Sequence, residues 1–170
     1  MAQKSISTEF STVNIDKAVE LLTATPQTLA KLSALFAPDA LYQPLRAGDR
    51  SFMEIAAHIV NCDERTTETI YAALLLKEPL VLDIHPEREW GKLLHYEQSD
   101  AAELLAYFSF RRKTLLRIMN GLSEVQWERA IQETGKQRKE TVYLLARGQA
   151  LHEAAHIAEI QNFSGKRLPE

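Results

Sequence analysis

Apolar residues recur at helical spacing in four long stretches of this 170-residue chain, and proline, glycine or capping residues separate them. In the first stretch, Asn14 to Phe36, residues Ile15, Val19, Leu22, Leu29, Leu32 and Phe36 keep a helical period that Pro26 interrupts. Proline has no amide hydrogen for the helix ladder, so a kink or break is expected there. Pro38 and Pro44 mark a connection, with Gly48-Asp49-Arg50 as its turn. Ser51 and Glu54 then form a capping box. The helix they open has the packing stripe Phe52, Ile55, Ala56, Ile59 and Val60 and runs to about Leu76. Residues 78–99 contain Pro79, Pro86 and Gly91 and read as a long connection with at most a short helix over Arg88 to Leu93.

Asp100 starts the third helix, with Leu104, Leu105, Phe108, Leu115, Leu116 and Met119 as its apolar positions and Asn120-Gly121 as its stop. Ser123-x-x-Gln126 is a second capping box, opening a short turn through Trp127. A basic polar loop after Gly135 leads into the fourth helix, Thr141 to Phe163, which Ser164-Gly165 ends. The brief apolar run between Glu78 and Ile84 is too little for a sheet. The pattern predicts an all-α four-helix bundle with a long crossover connection, one domain over residues 1–170 with its core at 14–163.

Composition narrows the class further. Hydrophobic residues make up 45% of the chain, enough for a sizeable core. Neither a signal peptide nor a membrane-spanning stretch is recognisable, which points to a soluble, cytoplasmic protein without a membrane partner. The single cysteine, Cys62, excludes an intramolecular disulfide and any multi-cysteine metal site. A net charge of −3 argues against nucleic acid as a partner. The basic clusters Arg111-Arg112-Lys113 and Lys136-Gln-Arg138-Lys139 read as a solvated helix face or loop.

The candidate chemistry lies in the histidines. His152-Glu153-x-x-His156 sets two imidazoles one turn apart on one helix face, which Leu145, Gln149, Glu159 and Phe163 share. Glu153 falls on the flank of that face. His58 lies on the second helix among Ile55, Ile59 and Cys62. Taken singly, His58 reads as a core histidine bonded to a partner such as Glu54, and the pair as a half-exposed helix edge. Taken together, three inward imidazoles are costly to bury without partners, and one divalent ion satisfies them all. Three protein ligands also leave a position for water or substrate. Imidazole suits zinc, nickel, iron or copper alike. Cys62 is either a fourth, soft ligand or a small packed residue. His85 and His95, in the long connection, read as solvent-facing.

Two other readings of the motif find less support. A His-Glu-x-x-His peptidase needs a third ligand downstream, and only fourteen residues follow His156. A di-iron bundle needs two Glu-x-x-His pairs, and Glu153-x-x-His156 stands alone.

The chain resembles the DinB/YfiT-like superfamily of four-helix bundles. Ser51-x-x-Glu54-x-x-x-His58-Ile59 is similar to the family's second-helix signature. Glu124-x-Gln126-Trp127, Gly135, Thr141-x-x-x-Leu145 and His152-Glu153-x-x-His156-Ile157-x-x-Ile160 are similar to its last-helix signature. The resemblance implies that His58, His152 and His156 are the three metal ligands. It implies zinc or nickel as the ion, with iron or manganese as alternatives, and often a homodimer. It also implies an enzyme acting on a small-molecule substrate, by transfer of a low-molecular-weight thiol (bacillithiol, mycothiol or glutathione) or by hydrolysis. The alternative is a non-enzymatic stress-response bundle acting through dimerisation or a protein partner. Two positions depart from the family pattern: Ala155 replaces a frequent histidine, and Glu159 stands where glutamine is common. Glu159 shares the ligand face, so it ranks ahead of Glu153 as general base, or else holds an imidazole N–H. Glu54 reads as a cap or as an acceptor for His58.

Overall fold

The computed structural model describes residues 6–77, 79–81, 85–134 and 139–164. Four long helices form the bundle: α1 (Thr12–Ser33), α2 (Phe52–Leu75), α3 (Ala101–Met119) and α4 (Val142–Ser164). Among the described residues no helix is long and apolar enough to cross a membrane. Short helical turns at Pro86–Gly91, Lys92–Leu94 and Tyr96–Gln98 line the crossover between α2 and α3. The hydroxyls of Tyr96, in the crossover, and Tyr107, on α3, both donate to Glu64 Oε1 and tie these segments to α2. Burial raises both phenol pKa values, which keeps the two hydroxyls as donors.

The caps expected from the sequence are formed. Glu54 N donates to Ser51 Oγ at 3.0 Å and Ser51 N to Glu54 Oε2 at 2.6 Å. Ser51 is therefore the N-cap of α2, and Glu54 closes its capping box. Asp100 Oδ1 accepts from the amides of Ala102 and Glu103 at 2.9 and 3.0 Å. Ser51→Ala should lower stability by ~1 kcal/mol in chemical denaturation, since it leaves a buried helix start without its side-chain acceptor. An unchanged midpoint would show that water replaces the cap.

Pro26 does not break α1, which runs unbroken from Thr12 to Ser33. The missing proline N–H leaves the Leu22 carbonyl without its helical donor. Arg112 Nη1, reaching across from α3, donates to that oxygen at 2.7 Å. A remote guanidinium thus replaces the lost ladder bond. Arg112 is 1% exposed, which corrects the reading of Arg111-Arg112-Lys113 as a solvated face. Its Nη2 pairs with Asp63 of α2 at 2.7 Å, and its two terminal nitrogens grip Glu153 of α4 at 2.5 and 3.0 Å. One side chain of α3 therefore bonds to each of the other three helices. Burial opposes its charge, yet Glu153 and Asp63 carry its pKa above the ordinary arginine value.

This ionic layer separates two apolar clusters. One gathers Leu29, Phe52, Ile59, Phe108 and Ile160, the other Leu22, Ile70, Leu115, Tyr143 and Ala150. Against expectation, a small sheet edges the bundle. β1 (Leu80–Val81) runs parallel to β2 (Ala130–Glu133), and β2 is antiparallel to β3 (Lys139–Thr141). Strands of two to four residues are too short to display a period of two, and only their pairing defines them. The loop foreseen after Gly135 is thus flanked by a hairpin. Glu78, residues 82–84, Gly135, Lys136, Arg138 and Gly165 lie outside the described residues.

Candidate metal centre

The bundle brings His58 of α2 against His152 and His156 of α4. His58 Nε2 lies 3.0 Å from His152 Nε2, and His156 Nε2 lies 3.2 Å from the same atom. The three rings stand edge to face, with centroids 4.6 to 4.9 Å apart. Among the described residues these three form the group whose donor atoms all lie within 4.8 Å of one another. Each imidazole nitrogen has one in-plane position, filled by a proton or by a lone pair. His152 Nε2 therefore cannot satisfy two ring nitrogens at once, whereas a cation accepts all three lone pairs. Tetrahedral bonds of about 2.1 Å would set ligand nitrogens about 3.4 Å apart, near the observed spacing. The site is capable of coordinating a divalent metal ion.

The outer nitrogen of His156 is also held. Its Nδ1 lies 2.9 Å from Glu159 Oε2, and Arg50 Nη2 lies 3.1 Å from the same carboxylate oxygen. A proton on Nδ1 donates to Glu159 and leaves Nε2 as the lone-pair nitrogen. Arg50, from the turn before α2, gave no sequence signal because its contact with Glu159 spans 109 residues.

Cys62 Sγ is 3.8 Å from both ring nitrogens of His58, so it rests against the ring and in line with neither lone pair. Glu153 is fully buried in the Arg112 layer and also accepts from Gln149 Nε2 at 2.7 Å. Its carboxylate therefore does not flank the triad as a His-Glu-x-x-His peptidase would require. His85 and His95 are exposed, and His95 pairs with Glu97 at 3.1 Å.

Two clefts reach the triad. One, of about 410 Å³, has His152, Cys62 and Thr66 on its wall. The other, of about 360 Å³, opens beside His58 and is lined by charged residues that include Arg50, Glu54 and Lys92.

The model of the DinB superfamily matches residues 21–160. The chain belongs to the DinB superfamily. This DinB member is similar in structure to YfiT from Bacillus subtilis, named a probable metal-dependent hydrolase with an unusual four-helix bundle topology. The TM-score is 0.83 at 18% identity, over 96% of this chain and 93% of that one. It is also similar to the mycothiol-dependent maleylpyruvate isomerase, with a TM-score of 0.66 at 11% identity, over 86% of this chain and 60% of the other. At these identities the likeness establishes a shared bundle fold. No curated protein matches the sequence. Fold, family and histidine cluster together support a metal-binding site in this bundle.

Proposed function

We propose that this DinB-superfamily protein activates a nucleophile at a metal held by His58, His152 and His156, and uses it either to transfer a low-molecular-weight thiol or to hydrolyse a small substrate. The observation that carries this reading is the convergence of three imidazole nitrogens from two helices beside an open cleft. Bound there, a divalent ion such as zinc or nickel, the pair the family resemblance implies, would supply Lewis acidity that makes water or a thiol nucleophilic near neutral pH. The two structural neighbours, one named a probable metal-dependent hydrolase and the other a mycothiol-dependent isomerase, support the same class of chemistry.

The protein's own groups divide the remaining work. His58 fixes one direction of the site from α2, and the pair on α4 fixes two more. Glu159 receives a positioning role in this reading, in place of the general base expected from its spacing. Its carboxylate meets the outer nitrogen of His156 and is itself oriented by Arg50. Glu153 braces the bundle through Arg112 and stays out of the reaction.

Protein purified without a metal-affinity tag should take up one Zn²⁺ or Ni²⁺ per chain in equilibrium dialysis. A screen pairing candidate thiols and hydrolysable esters should then find turnover that depends on that ion. Glu159→Gln should keep the fold and lose roughly tenfold in metal affinity, as outer-sphere changes do. Saturating metal should restore its turnover. Turnover that stays lost at full occupancy would make Glu159 the proton acceptor. Metal uptake with no reaction anywhere in the screen would favour the non-enzymatic alternative.

A further inference from the structure

The cleft beside His152 has a polarity set by the buried layer beneath it. Glu153, gripped by both terminal nitrogens of Arg112, can only accept hydrogen bonds. Gln149, 5% exposed, must therefore turn its NH₂ toward Glu153, where Nε2 donates at 2.7 Å. That orientation leaves Gln149 Oε1 facing Thr66, whose hydroxyl donates to it at 3.0 Å. A hydroxyl that has given away its one proton offers only lone pairs to whatever else approaches. Thr66 and Gln149 both line the cleft, so whatever meets the Thr66 oxygen from there meets a lone pair.

Gly148, Leu144 and Leu145 of α4 also line the cleft, together with the charged residues Arg147 and Glu140. Gly148 sits inside the helix, where alanine would be the more stabilising residue. A Cβ built on it meets nothing within 4 Å, so close packing does not explain the glycine. The missing side chain leaves the cleft open at that point.

We propose that this cleft, rather than the one beside His58, admits the substrate. Thr66 selects a molecule bearing an N–H or O–H donor, and Gly148 leaves room for the apolar chain that carries it. The occupant class is a primary amide or alcohol with a short alkyl chain laid against Leu144 and Leu145. The inference rests on the triad being the reacting centre.

Pentanamide and 2-hexanone test it, because they share a shape and differ in the donor. Their binding to the Zn²⁺-loaded protein is read from backbone amide shifts in NMR, and Zn²⁺ uptake is measured on the same samples. Both probes should shift the amides of Thr66 and Gly148. Thr66→Val should lower the amide-to-ketone affinity ratio about fivefold, the worth of one hydrogen bond, and Thr66→Ser should retain it. Gly148→Ala should raise the melting temperature by about 2–4 °C while weakening both probes about tenfold. Shifts centred on Ala57 and Gly91, a ratio unchanged in Thr66→Val, or no saturable binding of either probe would overturn the proposal. Failure of Zn²⁺ uptake with the probe pattern intact would instead remove the functional reading and leave the cleft assignment standing.

Discussion

Arg112→Met should destabilise the protein by about 3–5 kcal/mol at neutral pH, the range seen when one partner of a buried ion pair is removed. The substitution strands the Asp63 and Glu153 carboxylates in the interior, and it returns the Leu22 carbonyl beside Pro26 to an unsatisfied state. Urea denaturation would measure the loss. Its pH dependence is diagnostic. Burial already raises the pKa of Asp63 while Arg112 works against that rise. Without the guanidinium, burial acts with less opposition. A carboxyl whose folded pKa exceeds its unfolded value costs stability as pH rises through the folded value and returns it as pH falls. The variant should therefore lose less relative to the native protein near pH 5 than near pH 7. Adding Asp63→Asn and Glu153→Gln to Arg112→Met should recover part of the loss at neutral pH, because the stranded charges are then gone. A single variant within ~1 kcal/mol of the native protein, with no pH dependence in the difference, would mean that water serves the layer as well as arginine does.

His156→Ala should reduce the affinity for Zn²⁺ by more than the roughly 10–100-fold that outer-sphere substitutions cost. It removes one of three nitrogens that lie within 4.8 Å of one another, and it also detaches Glu159 and Arg50 from the site. His58 and His152 would remain as two ligands, too few for the arrangement of three protein donors with one open position. The half-buried ring packs at the edge of the bundle, so the helical circular dichroism should be retained. Competition titration against a chromophoric chelator reads the affinity directly. Zn²⁺ binding equal to that of the native chain would place the ion elsewhere, and metal-dependent turnover that survives the substitution would remove the triad from the mechanism.

What was legible in the sequence was local. The box at Ser51 and Glu54, the stop near Asn120 and the shared face of His152 and His156 each follow from spacings of three or four residues, which a helix converts directly into contact. The pairing of His58 with that face follows from what buried imidazoles require, and the family resemblance implies it as well. Three features pointed the wrong way for one common reason. Pro26 signals a kink or break because its missing hydrogen bond is local, whereas the donor that lets the helix run on without a break sits 90 residues away on another helix. Arg112 looked solvated because its neighbours in sequence are basic, whereas its partners belong to α1, α2 and α4. The strands were invisible because two to four residues carry no periodic signal until they pair.

The sequence by itself therefore determined an all-α bundle, its caps and the identity of three imidazoles able to share an ion. Only the tertiary structure decided that Arg50 and Glu159 hold the outer nitrogen of His156, that Glu153 faces Arg112 rather than the histidines, and that Gln149 turns Thr66 into an acceptor. Helical periodicity is a property of neighbouring residues, whereas the partner of a buried charge is chosen by desolvation and by which remote helix is packed within about 3 Å of it.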